Sequence, residues 1–278
     1  MNLIYTKVNI VYIKFEGCMN KKMDWNPEKY LKFENERNLP SIDLVKRIRS
    51  EHDPENILDI GCGPGNSSMV LLQRWPSSRL TGLDNSQSMI DKALRDYPEH
   101  EWVLADAHDY KTDKKFDLAF SNAAFQWIPG HAALIKKFSS LLNEDGILAV
   151  QLPQFYNMPA GRSLERLSLS GKWKALAGGC SGLFTMHDPG FYYDILSGYF
   201  RSIDMWKTDY IHIFDSHMSV FEMIQSTGMR PYLEKLGSDS ERKSFEDSVI
   251  KELKKDYPMR KDGRVLFPFK RLFFIGYK

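Results

Sequence analysis

Residues 57–65 read Ile-Leu-Asp-Ile-Gly-Cys-Gly-Pro-Gly, a short apolar strand that runs directly into a glycine-rich turn. Gly61, Gly63 and Gly65 allow the backbone to turn tightly and to approach a bulky ligand closely. A second acidic residue, Asp84, ends the next apolar segment, Arg-Leu-Thr-Gly-Leu-Asp. A carboxylate at that place can accept hydrogen bonds from a ribose diol. The stretch therefore predicts a ligand crevice at the carboxyl end of a parallel sheet.

The spacing of the glycines bears on the charge of that ligand. The usual dinucleotide fingerprint has two residues between its second and third glycines, whereas here Pro64 stands alone. Pro64 removes one of the N–H groups that a pyrophosphate needs at a helix start. Asp59, just before the turn, would repel phosphates and favour a cationic ligand. Both features disfavour a nicotinamide-dependent oxidoreductase.

The pattern acid-x-Gly-x-Gly-x-Gly, followed by a second acid, resembles motifs I and II of class I S-adenosylmethionine-dependent methyltransferases. The resemblance implies S-adenosyl-L-methionine as cofactor, which carries a sulfonium and an amino group and no phosphate. The resemblance implies cofactor-binding positions at Asp59, Gly61, Gly63, Gly65, Asp84, Asn85, Met89, Asp106, Ala107 and Asn122. Of these, Met89 could instead be a core residue, and Asp106 could instead cap a loop.

Composition indicates a globular protein that acts on a small molecule. Of its 278 residues, 42% are apolar and 27% are charged, enough for one large domain or a domain with a cap. The net charge is only +2, from 38 basic and 36 acidic residues, so we expect no nucleic-acid partner. No apolar run reaches membrane-spanning length, so we expect no membrane partner.

The cysteines and histidines give no sign of a disulfide or a metal site. Cys18, Cys62 and Cys180 are odd in number and scattered, which is typical of a reducing compartment and predicts a cytoplasmic protein. None of the seven histidines pairs with a cysteine or another histidine at a zinc-like spacing, so no metal is expected.

From residue 24 onward, strand-like and helical segments alternate, which is the pattern of a parallel sheet covered on both faces. The segment Asn-Glu-Asp-Gly at 143–146 predicts a turn. Seven strands match the class I methyltransferase sheet, and the resemblance implies a doubly wound, Rossmann-like α/β fold with the last strand antiparallel. The predicted strands are 57–60, 80–83, 101–105, 116–121, 147–152, 203–208 and 272–276, and the predicted helices are 41–49, 67–74, 86–97, 131–142 and 190–196.

Two stretches, about 154–187 and 217–262, fall outside this alternation. Each has helical spacing, for example at Phe221, Ile224, Leu233 and Leu236, and each predicts a helical lid over the substrate. Residues 1–22 are interpreted as a peripheral extension, because Met19 and Met23 are both plausible starts. Residues 23–278 are predicted to form one methyltransferase domain, as a monomer or homodimer.

A narrower resemblance rests on residues spread over nearly everything after position 23. The segments Asp24-Trp-Asn-Pro-Glu-Lys-Tyr, Asn122-Ala-Ala-Phe-Gln-Trp and Thr227-Gly-Met-Arg-Pro-Tyr are similar to the trans-aconitate 2-methyltransferase family. Residues 161–184 resemble it least, and Lys270 stands where a proline is expected. The resemblance implies methyl esterification of a small polycarboxylic acid.

Such an acid needs anion-binding side chains, and a guanidinium grips a carboxylate with two parallel hydrogen bonds. The tyrosines could donate hydroxyls or be ordinary core aromatics, and Trp127 could be core or pocket wall. An ionised carboxylate needs no base to attack a methyl group, so no catalytic acid or base is expected. The candidate substrate-positioning residues are Arg230, Arg271, Arg37, Tyr193, Trp127 and Tyr30.

Three alternatives remain open from the sequence. The acceptor could be another free acid or a carrier-bound acyl group. The chain could also bind S-adenosylmethionine without turnover, as a sensor or partner subunit.

Overall fold

The chain is built around one seven-stranded sheet with the strand order β3-β2-β1-β4-β5-β7-β6. The computed structural model describes residues 34–177 and 184–278. Strands β1 to β5 run parallel, and β7 is antiparallel to both β5 and β6. The strands are β1 Asn56–Ile60, β2 Arg79–Asp84, β3 Glu101–Leu104, β4 Phe116–Asn122, β5 Leu142–Pro153, β6 Ser202–Phe214 and β7 Val265–Tyr277. The predicted α/β sheet with an antiparallel last strand is confirmed.

Helices cover both faces of the sheet, because each strand presents apolar side chains alternately to either side. One core packs α1, α2 and α3 against residues such as Ile57, Leu118 and Phe273. The opposite core packs α4 and α7 against Leu58, Ala119 and their neighbours. The helices are α1 Glu34–Arg47, α2 Asn66–Arg74, α3 Gln87–Asp96, α4 His131–Leu141, α5 Pro159–Ser168, α6 Trp173–Ala177, α7 Pro189–Leu196, α8 His217–Gln225, α9 Arg230–Lys235 and α10 Asp239–Asp256.

A third core lies where β6 and β7 extend beyond β5. These strands pair along their whole lengths, from Ser202 with Tyr277 to Phe214 with Val265. Their far ends contribute Phe214, Phe267 and Phe269 to an apolar cluster that also contains residues of α5, α6, α8, α9 and α10. We call this cluster the third core. It is made mainly by the two stretches that sequence periodicity sets apart from the sheet.

Several boundaries differ from the sequence prediction for physical reasons. The predicted turn at 143–146 is a bulge inside β5, where the register against β4 shifts between Phe116 and Leu118. Strands β6 and β7 start or end far outside the predicted 203–208 and 272–276, because their outer halves pair only with each other. Helix α1 begins before the predicted residue 41 and contains Pro40.

Membrane-spanning character is absent from the helices that the structure describes. None of them combines the length and apolar content that a span would require.

Candidate functional site

A cavity opens at the carboxyl edge of the sheet and extends to the third core. Its sheet side contains Gly61, Gly63, Asp84, Asp106 and Asn122, which follow or end strands β1 to β4. Open α/β sheets bind ligands at this edge. Its third-core side contains Phe155, Phe184, Met223, Phe269 and Arg271. Asn85, Met89, Ala107 and Trp127 also line the cavity.

Two glycines of the turn have conformations that a side chain would oppose. Gly61 has φ +73°, and a Cβ there would lie 2.1 Å from the Cβ of Ala124. Gly63 has φ +55°, and a Cβ there would meet nothing within 4 Å, so the position opens onto the cavity. Gly61 therefore permits close packing of two loops, whereas Gly63 leaves its backbone accessible to a ligand.

Gly65 does not line the cavity. It precedes α2 with φ +100°, and its Cα faces the rings of Tyr97 and Trp102, which lie 3.0 Å and 3.2 Å from an added Cβ. Its predicted cofactor role therefore has no direct contact to support it. The position instead fixes how α2 leaves the turn.

Asp84 holds the glycine turn from the neighbouring strand. One carboxylate oxygen accepts the N–H of Gly63 at 2.9 Å, and the other accepts the N–H of Ser86 at 2.9 Å. Burial raises the pKa of Asp84, while the N–H donors of Ser86, Gly63 and Asn85 act against that rise. The carboxylate is thus preorganised at the cavity wall, where further acceptor capacity can meet ribose hydroxyls.

Asp59 lies beneath the turn and has no solvent exposure. One of its oxygens accepts the hydroxyls of Ser67 and Ser68, both at 2.7 Å. Burial raises the pKa of Asp59 to about 6, although the two serine hydroxyls lower it. It does not line the cavity, so any effect on a ligand acts through charge. An ionised Asp59 below the turn favours a cation above it.

These features fit S-adenosylmethionine. The backbone of Gly63 is accessible from the cavity, and Asp84 lines the cavity. The turn also contains a proline, which lacks the N–H that a phosphate would bind. Two acceptors on lining residues, Asn122 Oδ1 and Gln126 Oε1, have no hydrogen-bond partner among the residues that the structure describes. A ligand that carries N–H and O–H donors would satisfy them.

Arg271 brings a cation into the third-core side of the cavity. It lies on β7 opposite Pro153 of β5 and is only 4% exposed. Its Nη1 donates to Gln151 Oε1 at 3.4 Å, and its guanidinium carbon lies 4.3 Å from the centre of the Phe269 ring. Burial and this packing fix the side chain, so its charge has a defined place in the cavity wall.

The other predicted substrate-positioning residues have different places. Trp127 lines the cavity and packs on Phe184, with ring centres 4.6 Å apart. Arg230 is not among the lining residues, and its Nε donates to Glu234 at 2.9 Å along α9. Tyr193 is 55% exposed on α7 and does not line the cavity either. Tyr30 and the side chain of Arg37 lie outside the described residues.

Sequence reasoning missed much of the third-core side. Phe155, Phe184 and Met223 line the cavity but look like ordinary core residues in the sequence. Thr227 and Gly228 also line it, and their place in the segment Thr-Gly-Met-Arg-Pro-Tyr was the available signal. A Cβ at Gly228 would lie 2.9 Å from Phe155 Cζ, which shows how tightly this wall is packed.

His131 lies behind the short helical turn Phe125–Trp127 and has no solvent exposure. Its Nε2 donates to the carbonyl of Phe125 at 2.8 Å, and its Nδ1 bonds the Tyr192 hydroxyl at 2.7 Å. Burial lowers the pKa of His131, so its neutral form is favoured. It supports the turn that places Gln126 and Trp127 in the cavity wall.

Comparisons with known proteins agree with this geometry. A family model described as a methyltransferase domain matches residues 57–146, which include the glycine turn and strands β1 to β4. The chain is 36% identical over 252 residues to a trans-aconitate 2-methyltransferase of Azoarcus sp., covering 91% of this chain and 98% of that one. It is 37% identical over 253 residues to a protein of the same name from Shigella flexneri, with the same coverage.

Solved structures share the fold at low sequence identity. The YcgJ protein from Bacillus subtilis superposes with a TM-score of 0.55 at 16% identity, covering 86% of this chain and 98% of that one. A phosphoethanolamine N-methyltransferase from Haemonchus contortus, solved with S-adenosylhomocysteine, gives a TM-score of 0.55 at 17% identity, covering 86% and 52%. Because the sequence relatives are matched over almost their whole length, the chain belongs to the trans-aconitate 2-methyltransferase family.

Proposed function

We propose that this chain transfers the methyl group of S-adenosylmethionine to a carboxylate of a small acid, with trans-aconitate as the first candidate. The observation that carries the proposal is one cavity lined both by the carboxylate of Asp84, which we assign to the cofactor ribose, and by the buried guanidinium of Arg271. The sequence relatives are named for the same reaction.

The sheet side would hold the cofactor. Asp84, which fixes Gly63, would accept the ribose hydroxyls, and Gly63 would bring bare backbone next to the ligand. Asp106 and Ala107 follow β3, where the adenine edge can be met. When bound, S-adenosylmethionine supplies an electrophilic methyl group on a positively charged sulfur.

The third-core side would hold the acid. Arg271 can present two N–H groups to one carboxylate and keep another carboxylate of the same acid free to react. An acceptor carboxylate with an ordinary pKa of about 4 is ionised at neutral pH, so it needs no base. The chain's contribution is alignment and exclusion of water, and alignment alone can supply roughly 7–11 kcal/mol.

The histidine geometry is consistent with this mechanism. No histidine stands among the described residues that line the cavity. His131, which bonds the carbonyl of Phe125 in the Phe125–Trp127 turn, uses both ring nitrogens in structural hydrogen bonds. We therefore assign no proton-transfer role to any residue that the structure describes.

The test is mass spectrometry of the products after the protein is incubated with methyl-labelled S-adenosylmethionine and trans-aconitate. We expect a labelled monomethyl ester that depends on Arg271. A panel of other free acids and an acyl carrier should be run in parallel. Tight cofactor binding without transfer to any acceptor would instead indicate a cofactor-binding protein without turnover.

The choice of cofactor has its own test. We expect S-adenosylmethionine to raise the melting temperature, and NAD to leave it unchanged, because the turn offers too few N–H groups for a pyrophosphate. A melting temperature raised by NAD and not by S-adenosylmethionine would show that the proposed cofactor is wrong, and the proposed function with it.

A further inference from the structure

The loop after β3 forms part of the sheet side of the cavity, and a lysine of α4 holds this loop from behind. Ala105, Asp106 and Ala107 line the cavity, whereas Lys137 does not. The Nζ of Lys137 donates to the carbonyl of Ala107 at 2.9 Å and to the carbonyl of His108 at 2.7 Å. Two consecutive carbonyls of the loop therefore converge on one ammonium group.

The same contacts fix the direction of the Asp106 side chain. One oxygen of the Asp106 carboxylate accepts the N–H of His108 at 2.8 Å. That N–H belongs to the same planar peptide group as the carbonyl of Ala107. Because Lys137 holds this carbonyl, it also fixes the N–H that orients the carboxylate.

Helix α4 holds a second part of the cavity wall as well. Its first residue, His131, bonds the carbonyl of Phe125 at 2.8 Å. The Nε2 of His108 donates to the carbonyl of Pro129 at 2.8 Å, and Pro129 lines the cavity. One helix and one cross-contact therefore connect the loop after β3 to the segment that follows β4, so the two parts of the wall keep a fixed separation.

The charge of Lys137 contributes to this arrangement. Burial lowers the pKa of Lys137, while the charges of Asp109 and Asp106 act against that fall. Hydrogen bonds from an ammonium group are shorter and stronger than those between neutral groups. A neutral side chain at this position would leave the carbonyls of the loop without their shared donor.

We infer that Lys137 is a positioning residue for the adenine of the cofactor: it holds the peptide group between Ala107 and His108 and thereby aims the Asp106 carboxylate at the amino group of the base. The inference rests on the proposed function, because it concerns the cofactor held on the sheet side. It adds that the selection of adenine depends on a side chain that does not contact the cofactor.

The experiment compares two ligands that differ at one position of the base. S-adenosylhomocysteine has a 6-amino group, which donates to a carboxylate, whereas S-inosylhomocysteine has a 6-oxo group, which can only accept. Isothermal titration calorimetry with the full chain measures both dissociation constants. In the unmodified protein, we expect S-adenosylhomocysteine to bind more tightly than S-inosylhomocysteine by about tenfold or more.

The variant Lys137→Met removes the ammonium group and keeps most of the length of the side chain. We expect it to weaken S-adenosylhomocysteine binding by about tenfold and S-inosylhomocysteine binding by less than about threefold, so that the preference for adenine falls. A side chain that only stabilised the fold would change both dissociation constants equally. Lys137→Arg, which can still donate to both carbonyls, should keep most of the preference.

The matched control is Lys136→Met. Lys136 precedes Lys137 on the same helix and is exposed, so this variant should bind both ligands as the unmodified protein does. Lys137→Gln is a second test in case Lys137→Met does not fold. Its amide keeps one donor group, so its preference for adenine should lie between those of the methionine variant and the unmodified protein.

The possible failures can be told apart. An unchanged preference in folded Lys137→Met or Lys137→Gln would overturn this inference and leave the proposed function intact. Equal binding of the two ligands to the unmodified protein would do the same, because Asp106 would then not distinguish the amino group. Failure of both S-adenosylmethionine and S-adenosylhomocysteine to bind would overturn the proposed function and this inference with it.

Discussion

The two sides of the cavity are built in different ways. The sheet side comes from short loops that follow consecutive strands, and its key contact joins Asp84 to Gly63 at 2.9 Å. The third-core side combines residues from distant parts of the chain, such as Phe155 and Arg271. The first side is polar and fixed by backbone hydrogen bonds, whereas the second is apolar with one buried guanidinium. Under the proposed function, the difference teaches that the cofactor is recognised by a local motif and the acid by tertiary packing.

Replacement of Asp84 should have the largest effect, because it removes the proposed ribose acceptor and also the hydrogen bond that holds Gly63. We expect Asp84→Ala to weaken S-adenosylmethionine binding by about 100-fold or more, since hydrogen bonds to a charged group are worth roughly 1.5–3 kcal/mol each. Isothermal titration calorimetry measures this. Asp96→Asn, at an exposed ion pair with Lys92 on α3, is the control and should bind normally. A loss of S-adenosylmethionine affinity of less than fivefold would contradict the proposed ribose-binding role of Asp84.

Substitutions at Arg271 and Arg230 test whether the acid binds on the third-core side of the cavity or on the neighbouring surface. We expect Arg271→Lys to raise the KM for the acid by about 30–100-fold, because a lysine cannot reproduce the two parallel hydrogen bonds. The dissociation constant of the cofactor should change little. Arg230→Lys, at a residue paired with Glu234 outside the lining, should change the same KM less than threefold. The opposite ranking, measured by initial rates, would move the acid site to α9.

Asp59 makes the sheet side sensitive to pH in the ligand-free protein. The pKa of about 6 lies above the ordinary value of 3.8, so the folded state holds the proton more tightly than the unfolded chain. This contribution to stability is complete below about pH 4 and is lost as the pH rises through about 6, for a total of about 3 kcal/mol. Urea denaturation at pH 5 and pH 8 measures the change.

The variant Asp59→Asn isolates that contribution. Its side-chain oxygen can still accept the hydroxyls of Ser67 and Ser68, but it does not titrate. We expect its free energy of unfolding to fall less between pH 5 and pH 8 than that of the unmodified protein, by about 1–1.5 kcal/mol, because part of the total contribution is already lost below pH 5. Identical pH dependence in the two proteins would show that Asp59 is ionised in the folded state throughout.

His131 should have the smallest effect on the chemical step. We expect His131→Ala to keep kcat within about tenfold above pH 6, because its nitrogens support a turn and move no proton in our mechanism. Tyr192→Phe removes one of the same hydrogen bonds and should behave alike, with both variants losing thermal stability. A thousandfold loss of kcat at His131, in folded protein, would establish a proton acceptor and end the base-free mechanism.

The sheet side was predictable because its signals lie close together in the sequence. The glycine turn and Asp84 lie within one strand-helix-strand unit, so their spacing in the sequence is enough to predict that they lie side by side at the edge of the sheet. The resemblance to class I methyltransferases implied Asn85, Met89, Asp106 and Ala107 as well, and all of them line the cavity. It could not separate Gly65, which packs on Tyr97 and Trp102, from the glycines that face the ligand.

The third-core side could not be predicted in the same way. Arg271 and Arg230 look alike in the sequence, and only the pairing of β7 with β5 and β6 buries Arg271 in the wall. Phe155, Phe184 and Met223 have no chemical signature that distinguishes a wall from a core.

The sequence by itself indicated seven strands, the glycine turn and the two carboxylates at Asp59 and Asp84, because hydrophobic periodicity and turn chemistry act between near neighbours. The antiparallel last strand was implied by the family resemblance. The tertiary structure decided which arginine enters the cavity and that an apolar wall faces it. The physical reason is that burial and contact across β6, β7 and the third core arise only when segments more than a hundred residues apart pack together.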